Sequence, residues 1–287
     1  LTLAGHHLSS DFLSLPFFSR VGLFLTELPT GLEIGFFFLV WGLLWLPIAV
    51  LLAIALKWHP SKRLEIRQKL PLVASLYVFA PFVLWSFARL QGLPFAAFGW
   101  HWDSHTLNSF ALGLGIGAIG LLLLFGLQTL LGWVTWKGQW RSVATAIATS
   151  LLIGVAIAGI EELVFRGFVF GQLLQEYDFW TGAIASSIIF AILHLVWEGT
   201  ENIPQLPGLS LMGVVLCLAV SFRSGQPELG LAWGLHAGWI WAMASLDAAV
   251  DYTQSAPDWL TGLDNKPLAG FMGLGFLLAT AGIVLAL

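Results

Sequence analysis

Charge is what this sequence has least of: Asp, Glu, Lys and Arg make up 10% of its 287 residues, against 58% hydrophobic residues. So few charges cannot clothe a water-soluble domain of this size, and the mean hydropathy of +0.86 puts most of the surface in lipid. Basic residues are sparse as well, with 12 Lys+Arg against 16 Asp+Glu and a net charge of −4 spread along the chain. That balance excludes a nucleic-acid footprint and a polybasic lipid-binding tail. Cysteine is nearly absent. Cys217 alone can form no intrachain disulfide, and in its apolar run it reads as a small hydrophobe rather than a nucleophile. The start of the chain lacks a basic region. Its first 28 residues, with His6, His7, Asp11, Arg20 and Glu27 among phenylalanines and leucines, read as an amphipathic surface helix rather than a cleaved signal peptide. No internal repeat or low-complexity segment is present.

What the chain does have is long apolar runs. Sustained hydropathy predicts spans at about 33–56, 70–90, 107–133, 142–174, 179–197, 207–222, 229–249 and 268–287. The predicted fold class is therefore all-α, a polytopic transmembrane bundle of about eight helices in an integral, multi-pass membrane protein. It divides into four regions: an amphipathic N-terminal surface segment (1–32), N-terminal transmembrane helices (33–141), a core with the unusual chemistry (142–250), and a loop with a C-terminal helix (251–287). The fourth tract is too long for a perpendicular span, so it tilts, projects from the membrane or breaks near its glutamates. Lys57, Lys62, Arg63, Arg67 and Lys69 mark one loop as cytoplasmic, and Lys137 with Arg141 marks a second, two spans later. Trp100, Trp102, Trp133, Trp136, Trp140 and Trp180 cluster at predicted span ends as an interfacial belt. Gly113, Gly117 and Gly120 place small residues on one helical face and predict close helix packing.

Glu161 and Glu162 lie within the apolar tract from Ser150 to Leu174, with Arg166 four residues after the second. A charged side chain at the bilayer centre costs about 2.5–3.5 kcal/mol on insertion scales, so an acidic pair and an arginine in one span call for a function or for a solvated helix end. Residues four apart on a helix lie nearly above one another, which pairs Glu162 with Arg166. Glu161 should point towards the face of Phe165 and Phe168, without a local cation. An imidazole in lipid is the other rarity, and the chain places two there: His194 and His236. Each is either an interhelical hydrogen bonder or a catalytic group. A glutamate and a histidine converging on a water can deprotonate it for attack on a carbonyl, while a second imidazole stabilises the developing oxyanion.

Glu161-Glu162-x-x-x-Arg166, then Phe190-x-x-x-His194, then His236 in a later apolar helix, together resemble the CAAX protease and bacteriocin-processing (CPBP, or ABI) family of intramembrane endopeptidases. The resemblance covers roughly residues 142–250; the N-terminal spans carry none of their own. It implies that Glu161 and His194 activate water, that Glu162 and Arg166 order the helix, and that His236 serves the oxyanion. It also implies a peptide or protein substrate that is membrane-associated or lipidated. One position departs: many members have an asparagine four residues after the last histidine, contributing to the oxyanion site, where this chain has Ile240. Both an active endopeptidase and an inactive member serving as a membrane scaffold fit that pattern.

Other polar groups carry weaker signals. His194 and Glu198 share one face and, with Glu161 and His236, suggest a divalent metal site, but no His-Glu-x-x-His is present and Glu198 falls at a predicted helix end. His101, Asp103 and His105 read as ordinary loop residues. No cofactor or metal is expected, and the partners are membrane lipid and a peptide substrate, with no nucleic acid. A proton-coupled transporter is the third class, opposed by the lack of paired halves with matching broken helices.

Overall fold

The computed structural model describes residues 16–59, 64–138, 140–223, 225–253, 256–263 and 266–287. The first fifteen residues of the predicted surface segment, and Lys62 and Arg63 of the basic loop, lie outside them. The chain forms two compact units, Leu1–Phe95 and Ala96–Leu287. It is mostly helical, and every predicted span is found as a helix.

The first unit holds α1 (Phe17–Thr26), α2 (Thr30–Ala55) and α3 (Ile66–Leu90). Apolar side chains on α2 and α3 interlock, Phe37 meeting Phe87 edge to face at 5.5 Å. Trp41 and Trp45 turn their indole N–H groups onto α3, at the Leu76 carbonyl and the Ser75 hydroxyl, both at 2.9 Å. With no water in the hydrocarbon region, such polar tips need partners inside the protein.

The second unit begins with α4 (Ser104–Leu130), capped by Asp103, whose carboxylate accepts from the Thr106 N–H at 2.9 Å. Strand β1 (Val134–Trp136) leads to α5 (Trp140–Glu162), which passes without interruption through a π-helical turn (Leu163–Val169) into α6 (Phe170–Glu176). Then come α7 (Phe179–Glu198), α8 (Leu206–Leu218), β2 (Ser221–Arg223), β3 (Gln226–Glu228), α9 (Gly230–Ala249), β4 (Val250–Tyr252), the short α10 (Asp258–Thr261) and α11 (Phe271–Ala286). Among the described residues, five helices are long and apolar enough to cross a membrane: Thr30–Ala55, Arg67–Leu90, Ser104–Leu130, Val143–Glu176 and Phe179–Glu198. The protein is thus an integral, multi-pass membrane protein.

The boundaries differ where polar pairing competes with the apolar run. The predicted end at 133 falls back to Leu130 because Val134–Trp136 pairs antiparallel with Val250–Tyr252. The predicted end at 222 falls back to Leu218 because Ser221–Arg223 pairs with Gln226–Glu228. The long fourth tract keeps its length, 34 residues from Val143 to Glu176, or about 50 Å at the α-helical rise. Its break is a change of helical register directly after Glu162.

Helices α4 and α9 run in the same direction, with backbone against backbone. At their N-terminal ends Leu229 N–H donates to the Gly99 carbonyl at 3.2 Å, and at their C-terminal ends the β1–β4 ladder closes the pair. Between these clips a Cβ on Gly117 would lie 2.7 Å from the Leu235 carbonyl, and one on Gly238 would lie 2.6 Å from the Leu114 carbonyl. Gly113 meets Leu231 and Leu235 in the same way, and Gly234 meets Phe110. The expected glycine face of α4 therefore has a matching one on α9, Gly230, Gly234 and Gly238, a four-residue repeat that brings the axes close. On another side of α9, Trp233 and Trp241 donate indole N–H bonds to the Val155 and Ile147 carbonyls of α5, at 2.9 and 3.0 Å.

Candidate active site

The glycine seam leaves α9 little freedom to slide, and His236 projects from it between the two glutamates of α5. His236 Nδ1–H donates to Glu162 Oε1 at 2.7 Å, and Nε2 lies 3.6 Å from Glu161 Oε2. All three side chains are buried, Glu162 completely. The same Glu162 Oε1 accepts from Arg166 Nη1 at 3.1 Å, one helical turn on. Charge-assisted bonds of this kind are what allows a carboxylate to stay out of water. Glu162 Oε2 is buried without a hydrogen-bond partner among the described residues.

Arg166 has the most elaborate setting. Its guanidinium also donates from Nη2 to the Gly213 carbonyl of α8 at 3.2 Å and lies over the Phe190 ring of α7, 4.5 Å from its centroid. Gly213 permits that approach: a Cβ there would lie 2.6 Å from Ser187 Cβ, so α7 and α8 touch at this level. Phe190 in turn carries His194, whose ring meets it edge to face at 4.4 Å, and His236, at 6.1 Å. His194 Nδ1–H donates to the Phe190 carbonyl at 2.9 Å, one turn earlier on its own helix. In the neutral ring this leaves Nε2 as an acceptor.

Glu161, Glu162, Arg166 and His236 therefore form one connected cluster, and His194 joins it through Phe190. The neighbour of Glu161 comes from a distant helix: the His236 imidazole lies between the two glutamates and presents a nitrogen to each. Consecutive helix residues diverge by about 100°, and only a partner approaching between their directions reaches both. Two supports of the cluster, the Gly213 carbonyl and the π-turn, have no signature in the local sequence. The glycines of α9 do have one, in the spacing Gly230, Gly234, Gly238.

The position of the departure is apolar. Ile240 packs against α5, where a Cβ on Gly154 would lie 3.2 Å from Ile240 Cγ2. Glu198 is exposed at the end of α7, and its carbonyl accepts from Asn202 at 2.8 Å. His101 Nε2–H donates to the Pro227 carbonyl at 3.1 Å. Among the described residues, no group of three or more His, Cys, Asp or Glu side chains is placed to hold a metal ion.

Residues 143–242 match the family described as Type II CAAX prenyl endopeptidase Rce1-like. The match spans α5, the π-turn, α7, α8 and the part of α9 that bears His236. No curated protein and no solved structure matches the chain. Residues 143–242 thus form a domain of the Rce1-like type II CAAX prenyl endopeptidase type, and for that domain the family implies an intramembrane protease acting on a peptide substrate.

Proposed function

We propose that this protein hydrolyses a peptide bond of a membrane-associated or lipidated substrate, with residues 142–250 as the protease core. The observation that carries the reading is the imidazole of His236 between two buried, adjacent carboxylates. A buried ion cluster of this kind is costly to maintain, and interhelical packing alone gives no reason for it.

In this reading Glu161 accepts a proton from a water molecule, with His194 Nε2 as its second acceptor, and the hydroxide attacks the scissile carbonyl carbon. Glu162 holds His236 by Nδ1–H, so that Nε2–H of the imidazolium donates to the oxyanion. Collapse of the tetrahedral intermediate breaks the C–N bond, and the proton taken by Glu161 passes to the leaving amine. Arg166 neutralises Glu162 and keeps its oxygen on His236 rather than on the substrate.

The test is cleavage of prenylated and unprenylated peptides by the purified chain in lipid nanodiscs. Glu161→Gln should abolish turnover while the protein stays folded and inserted; turnover at the wild-type rate in that variant sinks the assignment. The packing of Ile240 against Gly154 favours a second reading, an inactive member acting as a membrane scaffold. In that case Glu161→Gln and His194→Ala would each fully complement a deletion strain.

A further inference from the structure

A π-helical turn is rarer than an α-helical one and persists as a short insertion where something outside the helix supports it. Here it begins directly after Glu162, and all its residues, Leu163 to Val169, are buried. Three successive residues of the turn are each gripped by a different part of the second unit. The Phe165 carbonyl accepts the Ser186 hydroxyl of α7 at 3.0 Å. Arg166 donates to the Gly213 carbonyl of α8 at 3.2 Å. Gly167 lies so close to the Phe98 carbonyl, in the turn before α4, that a Cβ there would collide with it.

We infer that Ser186 is a positioning residue that holds the π-register at Phe165 and, through Arg166 and Glu162, holds His236 in place for catalysis. The Phe165 carbonyl already accepts the N–H of Phe170, five residues on, so the serine bond is an addition to the helix's own ladder. An α-register would turn that carbonyl back to the N–H four residues on and rotate the rest of the helix by about 100°. Arg166 would then leave the Gly213 carbonyl and the face of Phe190. Glu162 would lose the cation that shares its Oε1 with His236. Ser186 is fully buried, and its hydroxyl would have to find another acceptor within an apolar interior. Neighbouring Ser187 differs in kind, because its hydroxyl bonds the Ala183 carbonyl of its own helix at 2.6 Å.

The catalytic arm of the test rests on the endopeptidase reading; the spectroscopic arm does not. Ser186→Ala and Ser186→Thr are prepared as full chains in nanodiscs. Peptide turnover is measured together with the 15N spectrum of labelled histidine, in which His236 is assigned by its loss in His236→Gln. Glu162→Gln marks the position of a weakened Nδ1 bond. Ser186→Ala should lower kcat on the order of tenfold with KM unchanged and move the His236 signal towards that of Glu162→Gln. Ser186→Thr, which keeps the hydroxyl, should restore both. A His236 signal unchanged in Ser186→Ala overturns the inference whatever the turnover does. A wild-type chain that cleaves nothing defeats the endopeptidase reading alone, and the His236 signal still decides the role of Ser186.

Discussion

His236 and Glu162 are 74 positions apart in the chain and 2.7 Å apart in the fold, and the bond between them joins α9 to α5. Glu162 has a second obligation to Arg166, so one carboxylate oxygen serves an imidazole and a guanidinium. Removing that carboxylate strands a fully buried guanidinium.

Glu162→Met should therefore destabilise the protein by about 3–5 kcal/mol, the range for breaking one side of a buried ion pair. Arg166→Met should cost a similar amount. Glu162→Met combined with Arg166→Met should cost less than either alone, because no uncompensated charge remains. Thermal unfolding in detergent across this double-mutant cycle checks the sign of the coupling, and strict additivity would contradict it.

The glycine seam gives a prediction with its own internal control. Gly117→Val should destabilise by about 1–3 kcal/mol or more, since a Cβ there already meets the Leu235 carbonyl at 2.7 Å. Gly115, two residues earlier, has open space around its Cβ position. Gly115→Ala should be neutral or slightly stabilising through helix propensity. Equal melting temperatures for the two variants would show that α4 and α9 do not pack backbone to backbone.

The bundle was legible from the sequence because lipid leaves hydropathy as the dominant signal, and each apolar run became a helix. The ends were less legible: Val134–Trp136 and Ser221–Arg223 look like continuations of apolar spans until their partner strands are known. The site residues stood out by cost, since glutamate, arginine and histidine in apolar runs need partners. Their partnering was only half visible. A helical offset of four gives Glu162 and Arg166, but nothing local shows that His236 arrives between Glu161 and Glu162, because that depends on how α9 is set by its glycines. The π-turn was hidden for a similar reason: its supports, Ser186, Gly213 and Phe98, come from distant parts of the chain.

Alkaline pH should weaken the β1–β4 clip. Burial, with a contribution from nearby Asp247, pushes the Tyr252 phenol from 10.0 up to about 12. Because the folded-state value is raised, the contribution is complete below pH 10 and is lost as pH rises towards 12. Tyr252 is only partly buried, so solvent screening limits the loss to about 1–2 kcal/mol. Tyr252→Phe should flatten this part of the melting-temperature profile; an identical alkaline slope in both proteins would assign the loss to other groups.

Ile240 offers a gain-of-function test. In the proposed mechanism His236 stabilises the oxyanion without help from this position, and removing one such donor elsewhere costs roughly 10²–10³ in rate. Ile240→Asn should raise kcat by about tenfold or more with little change in KM, at a stability cost of about 1–2 kcal/mol from lost packing on Gly154. An unchanged kcat in a folded variant would mean that the oxyanion is already served by a donor from another part of the site.

Metal dependence separates two ways of making the nucleophile. A catalytic divalent ion needs about three protein ligands and an open position. Here His236 Nδ1 is committed to Glu162, Glu162 Oε1 is shared with Arg166, and His194 Nδ1 is committed to the Phe190 carbonyl. Recruiting Glu161, and His194 and His236 through their Nε2 atoms, as ligands would leave Glu162, already tied to a guanidinium and to the His236 imidazole, as the base. Turnover should therefore survive prolonged chelation of the purified protein. If chelation abolishes it and one equivalent of a divalent ion restores it, the metal-free water activation by Glu161 and His194 is wrong, and a three-ligand arrangement takes its place.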